Sequence, residues 1–426
     1  KSICKPNGVK DLGETDDKNK HFDANNNFYY CPNEPLDTSA IPRSINNEAT
    51  KPDYKSAEYT ETVARCTGND RFDAHPQAND WYETIKLNYG IDYCDWGGRS
   101  NHFNPIPDTW HKMTDILLFW AAKGIDGFRC DMAEMVPHEF WKYATEKVKA
   151  QYPRIVFIGE VYDPNQYRTY IAAGFDYLYD KVGMYDCLRD VMCEHRSAND
   201  ITRQWQATDD IGKHVLYFLE NHDEQRIASN FFCGNMQKGI PALIVAALFQ
   251  CNPIMIYAGQ EFGEKGMDGE GFSGIDGRST IFDYWSIDAI RKGFFERSKL
   301  SAEQVQLEKE YRKILTLCNS EKAISNGKTF DLMYANETND AFDSNKQFAF
   351  LRSSNNTTLL IVANFSKTEA HIRVNIPAHA FDYMEIKEGK KNMVDLLSGN
   401  HQSVVLQKDS SIEIVVPALN GRVYKF

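Results

Sequence analysis

The pattern of apolar and polar positions divides the chain into three parts. Residues 1–107 show no sustained periodicity and are rich in Asn, Asp, Tyr and Gly, which predicts a loop-rich segment rather than an independent core. From Asp108 the apolar residues recur at helical spacing, with Asp108 as the expected N-cap and Gly124 just beyond the helix end. Regular structure is therefore expected to begin at residue 108.

Apolar stretches and helical stretches then alternate through residues 108–320. The apolar stretches predict five strands, each followed by a helix, at GFRCD, IVFIGEV, FDYLYD, HVLYFLEN and PIMIYAG. A last helix is expected from Ser301 to Cys318, with Ser301 and Gln304 forming a capping box. Apolar strands separated by helices are typical of a parallel sheet covered by helices, so the pattern predicts an α/β fold.

The final part, residues 321–426, changes pattern again. Seven short stretches with strand character are separated by turn-rich pieces: QFAFLRS, TTLLIVANFS, AHIRVNIP, NMVDLL, QSVVLQ, SIEIVVP and RVYKF. Strands at this spacing predict an antiparallel β-sandwich of about a hundred residues.

Charged and polar residues stand at the ends of three predicted strands. These are Arg129 and Asp131 in GFRCD, Glu160 after IVFIG, and Asn221, His222 and Asp223 after YFLE. Residues at i and i+2 of a strand face the same side, so Arg129 and Asp131 are expected to point together. A single acid at a strand end is commonly a cap or an ion-pair partner, but three in one parallel-sheet domain indicate a site at the carboxyl edge of the sheet.

These residue types suit the cleavage of a glycosidic bond, which needs two carboxyl groups in different environments. The charge of Arg129 favours the ionised form of Asp131, which could attack a sugar carbon. Desolvation favours the protonated form of Glu160, which could act as an acid. Asp223 could stabilise the positive charge of an oxocarbenium-like transition state, and His222 could donate a hydrogen bond to a sugar hydroxyl.

The motifs GFRCD, GEV and ENHD, in this order, resemble three motifs of the alpha-amylase family of glycoside hydrolases (family thirteen). KLNYG near Asn88 and GQEFG at residues 259–263 are weaker matches to two further motifs. The resemblance implies a nucleophile, an acid/base and a transition-state stabiliser at Asp131, Glu160 and Asp223. It also implies substrate-binding roles for Arg129, His222 and Asn221.

The fold that the resemblance implies is a (β/α)8 TIM-type barrel, of which only strands 4–8 are visible in this chain. Residues 1–107 would then be a loop-rich inserted domain, residues 108–320 the barrel portion, and residues 321–426 the C-terminal antiparallel β-sandwich. We expect the first three strands to lie upstream of Lys1, since an open five-stranded barrel would expose two strand edges.

The implied function is that of a retaining glycoside hydrolase acting through a covalent glycosyl-enzyme. Its expected partners are starch-like α-glucans or maltooligosaccharides, with α-1,4-glucosidic bonds as the expected target. A transglycosylase on the same substrates and a non-catalytic glucan-binding relative stay open as alternatives. A Schiff-base enzyme would need a lysine at a strand end, and Lys181 is the nearest candidate.

The chemistry requires no cofactor, and a structural calcium ion is an open expectation. Many starch-cleaving members of the family carry Lys-His three and four residues after the nucleophile, where this chain has Glu134 and Met135. This departure leaves both a calcium site and the neighbouring sugar subsite undecided.

Charge and composition exclude some other classes of partner. The formal net charge is −12 and no block of Lys and Arg stands out, which disfavours nucleic acid. No run of eighteen apolar residues occurs, so no membrane span is predicted. The ten cysteines form no CxxC pair, which favours a mostly reduced chain, and both extracellular and cytoplasmic locations are compatible with the sequence.

Two signals in the glycine-rich stretch after residue 263 are weaker. Gly269, Gly271 and Gly274 match a dinucleotide-binding fingerprint by spacing alone, without the strand and helix that this motif requires. Asp276 and Arg278 in the same stretch could contact substrate or pair with each other.

Overall fold

The computed structural model describes residues 12–41, 61–82, 84–266, 276–279, 287–355 and 357–426. The three glycines of the dinucleotide-like fingerprint lie outside these ranges. The chain clusters into two compact units. Unit 1 comprises Lys1–Ile158 and Ala172–Phe175, and unit 2 comprises Gly159–Ile171 and Asp176–Phe426.

The described part of residues 12–107 has little regular structure, as its lack of periodicity predicts. Its four strands are two residues long and form two antiparallel pairs, Tyr30–Cys31 (β1) with Ala64–Arg65 (β2), and Ile91–Asp92 (β3) with Ser100–Asn101 (β4). The expectation that this segment has no core of its own is wrong, because aromatic rings pack around the buried Tyr29 and form a small core that no local periodicity reveals.

The remainder of unit 1 carries two helices and two strands in alternation. These are Asp108–Ala121 (α1), Gly127–Cys130 (β5), His138–Gln151 (α2) and Val156–Gly159 (β6), whose last residue already belongs to unit 2. The predicted cap of α1 is wrong by one residue. Pro107 has extended backbone angles and is the N-cap, while the Asp108 side chain pairs with Lys112 in the first helical turn.

Unit 2 continues the alternation of strands and helices. Its elements are Tyr167–Ala172 (α3, whose last residue belongs to unit 1), Tyr177–Tyr179 (β7), Asp186–Met192 (α4), Asp200–Ala207 (α5), Val215–Phe218 (β8), Gly239–Leu248 (α6), Ile254–Met255 (β9), Asp288–Phe295 (α7) and Ala302–Ser320 (α8). β7, β8 and β9 pair in this order, and both pairings are parallel, as predicted. Ser301 and Gln304 form the predicted capping box of α8.

The C-terminal part of unit 2 is antiparallel. Its elements are Lys322–Ser325 (α9), Lys328–Asp331 (β10), Met333–Asn336 (α10), Gln347–Ser354 (β11), Thr357–Asn364 (β12), Ala370–Ile376 (β13), Ala378–Met384 (α11), Gly389–Asp395 (β14), His401–Leu406 (β15), Ser410–Val416 (β16) and Asn420–Lys425 (β17). The strand order is β10-β11-β12-β17-β14-β15 in one sheet and β13-β16 in the other. All seven predicted strands are present, and β10 is an additional one.

Helix α6 connects the strand–helix part of unit 2 to its C-terminal antiparallel sheet. All ten of its residues are buried, because it contacts β8 and α8 and also packs on β12 and β17 of the C-terminal sheet. Gly421 permits this close packing, since a Cβ there would lie 2.5 Å from the Ile244 side chain. Even so, no helix within the described ranges is long and apolar enough to cross a membrane.

A buried arginine fixes the chain where α6 ends against the C-terminal sheet. The Arg352 side chain on β11 is fully buried and donates to the carbonyl oxygens of Phe249 and Ala323, the latter at 3.0 Å. It also donates to the Thr329 hydroxyl at 2.9 Å and to the Cys251 sulfur at 3.0 Å. Burial lowers the pKa of the guanidinium below its ordinary value, so this network of acceptors has to stabilise the charge.

Replacing Arg352 by methionine is expected to lower the free energy of unfolding by about 3 kcal/mol or more, because several buried acceptors lose their donor at once. A denaturant titration measures the loss. Arg373→Met, at an exposed position on β13, is the matched control and should stay within about 0.5 kcal/mol of the unmodified chain. Equal effects of the two substitutions would contradict the role given to Arg352.

Candidate active site

The predicted nucleophile, Asp131, directly follows β5 in unit 1. The strand can approach the start of β6 because residue 127 is glycine, where a Cβ would lie 2.4 Å from the Val156 carbonyl oxygen. The backbone turns immediately after Asp131, where Met132 adopts the left-handed conformation with φ of 42°. The Asp131 carboxylate therefore projects from a tight turn, and 72% of its side-chain surface is exposed.

Arg129 and Asp131 lie on the same side of the strand end, as their spacing predicts. Arg129 Nη1 donates to Asp131 Oδ1 and forms an ion pair with it. Cys130, between them, is buried, and this burial raises the pKa of its thiol to about 12. The alternation of side chains along the strand thus buries Cys130 and places Arg129 and Asp131 on the other side.

The predicted acid, Glu160, lies in unit 2 at the end of β6. Its side chain is buried, with only 3% of the residue exposed. Tyr162 Oη donates a hydrogen bond to Glu160 Oε1 at 3.2 Å. Burial raises the pKa of the Tyr162 hydroxyl, and the charges of Glu160 and Asp223 raise it further, so the hydroxyl stays a hydrogen-bond donor.

Asp223 is held in a turn that follows β8 in unit 2. The Asn221 side-chain oxygen accepts hydrogen bonds from the backbone amides of Asp223 at 2.9 Å and of Glu224 at 2.8 Å. His222 Nε2 lies 3.2 Å from Asp223 Oδ2. Asn221 is thus engaged in shaping the turn, while its predicted contact with substrate stays a prediction.

Residues 276–279 lie against this turn. Arg278 Nη1 pairs with Asp276 Oδ2 at 2.8 Å, and Arg278 Nε donates to the carbonyl oxygen of Asp223. Gln225 Nε2 donates to the Asp276 carbonyl oxygen at 3.0 Å. Of the two readings that the sequence left open, mutual pairing of Asp276 and Arg278 is the one observed.

A buried ion pair closes the base of the same turn. Arg226 Nη1 lies 2.8 Å from Glu220 Oε2, and neither side chain has more than 2% of its surface exposed. Arg226 Nε also donates to Ser279 Oγ at 2.8 Å, and Nη2 donates to the Ala258 carbonyl oxygen at 3.0 Å. Glu220 Oε1 accepts the backbone amide of Ile227 at 2.7 Å. These contacts tie both ends of the turn that carries Asp223 to each other and to residues more than thirty positions away.

The lysine considered for Schiff-base chemistry is occupied in ion pairs. Lys181 Nζ lies 3.0 Å from Asp186 Oδ1 and 3.3 Å from Glu224 Oε1. Burial alone would lower its pKa, but these two carboxylates outweigh burial and raise the pKa above the ordinary value. A nucleophilic amine needs the opposite shift, so this geometry argues against a Schiff base.

The structure thus groups the predicted residues within each unit. Arg129 and Asp131 form an ion pair in unit 1. Glu160, His222 and Asp223 lie in unit 2. Tyr162 is also in unit 2 and lies near the carboxylates of Glu160 and Asp223. Sequence reasoning missed Tyr162, Glu220 and Arg226. Tyr162 lies two residues after Glu160, and this spacing could have indicated that the two side chains lie close together. Glu220 and Arg226 are six residues apart, which matches no period of a helix or strand.

Within the described ranges, no three His, Cys, Asp or Glu side chains form a cluster that could hold a metal ion. Met135, which stands at a calcium-associated position in related enzymes, offers a thioether where Ca²⁺ prefers oxygen ligands. A structural calcium ion therefore stays an open expectation, and no step proposed below uses it.

Family comparison gives two matches along the chain. The family model described as alpha amylase, catalytic domain, matches residues 105–371, which is more than half of the chain. The model described as alpha amylase, C-terminal all-beta domain, matches residues 339–426. All three predicted catalytic carboxylates lie inside the first match.

Curated relatives with similar sequences include amylases and a transferase. Alpha-amylase 3 of Dictyoglomus thermophilum is 23% identical over 329 residues, 71% of this chain and 62% of that protein. Alpha-amylase MalA of Haloarcula japonica is 30% identical over 194 residues, 44% of this chain and 28% of that protein. Alpha-1,4-glucan:maltose-1-phosphate maltosyltransferase of Cereibacter sphaeroides is 32% identical over 92 residues, 21% of this chain and 16% of that protein. The chain thus spans less than two thirds of the length of these curated relatives.

Solved structures with a similar fold include two amylases. An alpha-amylase from Anoxybacillus has a TM-score of 0.57 and 18% identity, covering 77% of this chain and 64% of that chain. The maltogenic alpha-amylase AmyB from Thermotoga neapolitana has a TM-score of 0.56 and 20% identity, covering 77% and 68%. This likeness confirms the predicted fold class, a TIM-type barrel region followed by an antiparallel β domain.

Replacing Arg226 by methionine is expected to lower the free energy of unfolding by about 3–5 kcal/mol, because it leaves the Glu220 carboxylate buried without its partner. Denaturant titration measures this loss. Burial raises the pKa of Glu220, so in the variant the unfolded state releases this proton at lower pH than the folded state does. The loss of unfolding free energy is therefore largest above the pKa of Glu220 in the folded state. It should diminish as the pH is lowered through that pKa.

Two control variants sharpen this test. Arg168→Met breaks an exposed pair with Asp210 and should change stability by no more than about 1 kcal/mol. The double variant Arg226→Met with Glu220→Leu removes both charges and should recover part of the lost stability. A double variant that is no more stable than Arg226→Met would contradict the account of a stranded carboxylate.

Proposed function

Because this chain belongs to the alpha-amylase family of glycoside hydrolases, we propose that it cleaves α-1,4-glucosidic bonds in starch-like glucans or maltooligosaccharides with retention of anomeric configuration. The observation that carries this proposal is the contrast between two carboxyl groups. Asp131 is largely exposed and paired with a guanidinium, whereas Glu160 is buried and accepts a hydrogen bond from a tyrosine. Glycosidases of the retaining and the inverting class both need such a division of roles, and retention is what membership of the alpha-amylase family implies.

In the first step, the Asp131 carboxylate attacks the anomeric carbon of the sugar. Glu160 protonates the glycosidic oxygen, and the leaving sugar departs with that proton. The product is a glycosyl-enzyme ester on Asp131 and a Glu160 carboxylate. Arg129 orients the Asp131 carboxylate for the attack through their ion pair.

In the second step, the Glu160 carboxylate removes a proton from water. The resulting nucleophile attacks the anomeric carbon and releases Asp131, which restores both groups and the original configuration. Tyr162 donates to Glu160 Oε1 and holds that side chain in place through the two changes of protonation.

Asp223 and His222 act on the sugar rather than on the proton transfers. The carboxylate of Asp223 stabilises the positive charge that develops on the sugar ring in both transition states. His222, beside it, donates a hydrogen bond to a sugar hydroxyl. The turn fixed by Asn221 presents the two side chains together.

Glycosyl transfer is a second candidate, favoured by the similarity to the maltosyltransferase of Cereibacter sphaeroides. A sugar hydroxyl would then replace water in the second step, with the same residues in the same roles. Product analysis with an excess of acceptor sugar distinguishes the two, since transfer gives longer oligosaccharides. The presence of all three carboxylates argues against a binding protein without catalytic activity.

Glu160→Gln is expected to reduce the turnover of maltoheptaose by roughly 10²–10⁴-fold, because the amide can neither donate the proton nor take it up. Binding of maltoheptaose, measured by calorimetry, should change little. Glu303→Gln, at an exposed position in the first turn of α8, is the control and should leave turnover unchanged. Near-normal turnover in the Glu160 variant would contradict its assignment as the acid/base.

A further inference from the structure

Two cysteines of unit 2 lie in contact outside the residues assigned to catalysis. Cys193 is the C-terminal cap of α4, and Cys233 lies in the loop that follows the turn carrying Asp223. Their sulfur atoms are 3.7 Å apart and both side chains are half-buried. A disulfide bond is about 2.05 Å long, so side-chain rotation has less than about 2 Å of separation to close.

The loop before Cys233 is already held in the position that this contact requires. The Cys233 amide donates to the Ile227 carbonyl oxygen at 3.3 Å. Gly234 has a left-handed φ of 63°, and its amide donates to the Ser229 carbonyl oxygen at 2.8 Å. The Arg189 guanidinium of α4 lies 4.8 Å from the centre of the Phe232 ring. Formation of the disulfide would thus keep the loop in the position against α4 that it already has.

The surroundings divide the two thiols into an attacking and a resolving group. The hydrogen bond with Cys233 lowers the pKa of Cys193 to about 6, against the effect of burial, and the charges of His195, Lys238 and Arg189 lower it further. The same hydrogen bond and burial raise the pKa of Cys233. A lowered pKa favours the thiolate form of Cys193, and thiolates are the nucleophiles of disulfide exchange, so we assign Cys193 as the attacking group.

We propose that Cys193 and Cys233 form a thiol–disulfide exchange site, which small-molecule disulfides such as oxidised glutathione convert to an intramolecular disulfide. The Cys193 thiolate attacks one sulfur of oxidised glutathione and displaces one glutathione thiolate. The Cys233 thiol loses its proton to water and attacks Cys193 Sγ in the mixed disulfide, displacing the second glutathione. Two protein thiols are oxidised and one disulfide is reduced to two glutathione thiols.

The new bond would close a loop of 40 positions that contains β8 and the turn with Asp223. Closing such a loop restricts the unfolded chain, which stabilises the folded state. Because Cys233 follows this turn, the bond would also limit local opening of residues 227–234. This inference is independent of the proposed hydrolase activity.

The test uses the full chain, reduced with dithiothreitol, desalted, and then incubated with oxidised glutathione. After alkylation of the remaining thiols, peptide mapping by mass spectrometry should find a peptide in which Cys193 is linked to Cys233. Cys94 is exposed and serves as an internal reference for access of the reagent. Recovery of Cys193 and Cys233 as alkylated thiols while Cys94 carries glutathione would overturn the proposal, as would a link from Cys193 to another cysteine.

Two variants test the division of roles. Cys233→Ser should accumulate glutathione on Cys193, because the resolving thiol is absent. In Cys193→Ser, Cys233 should react no faster than Cys94. The opposite pattern would overturn the assignment of Cys193 as the attacking thiol.

A thermal scan tests the consequence of the bond for stability. The oxidised chain should melt roughly 2–5 °C above the reduced chain, and dithiothreitol should reverse this shift. Cys193→Ser should show no such shift. A mapped disulfide without a rise in melting temperature would overturn the stabilising effect.

Discussion

The buried ion pair between Glu220 and Arg226 is the constraint on which the site in unit 2 depends. Two charges with at most 2% of their surface exposed are costly to desolvate, and they are tolerated only with close pairing and additional hydrogen bonds. Both conditions are met, since the pair has contacts with Ser279, Ala258 and Ile227. The cost of desolvation therefore fixes a single arrangement of the turn between the two residues, and this turn carries His222 and Asp223.

The same unit uses backbone acceptors to hold a second buried arginine. Among the residues that the structure describes, Arg352 has no carboxylate partner. It is stabilised by carbonyl oxygens at the end of α6 and before β10, together with a hydroxyl and a thiol. The partially negative C-terminal end of α6 favours a cation there. One arginine thus fixes the turn that carries Asp223, and the other joins α6 to the C-terminal sheet.

The elements most accurately predicted were those whose local signals agree with one another. Helix α8 begins at the predicted capping box, and all seven predicted C-terminal strands are present. Strand β10 was missed because KTFD has a single apolar residue and pairs with β11 through backbone contacts that alternation does not reveal. The cap of α1 was assigned to Asp108 from its residue type, but this side chain pairs with Lys112 instead of capping the helix.

In the candidate site, contacts between residues close in sequence were predictable, whereas contacts between residues far apart in sequence were not. The pairing of Arg129 with Asp131 follows from a two-residue period, so the sequence predicted it. The ties of Gln225 and Arg226 to residues 276–279 join positions about fifty residues apart, which no local pattern encodes. Tyr162 lay within reach of the same i+2 argument as Arg129, but its role became visible only from the hydrogen bond to Glu160.

The central claim is that Asp131 and Glu160 cleave a glucosidic bond by two successive displacements. The most direct measurement is proton NMR of maltoheptaose during the first turnovers, which identifies the anomer of the newly formed reducing end before mutarotation. The account predicts that the α-anomer appears first, and that its release requires an intact Glu160 side chain. A β-anomer appearing first, or release that is unchanged in Glu160→Gln, would contradict it.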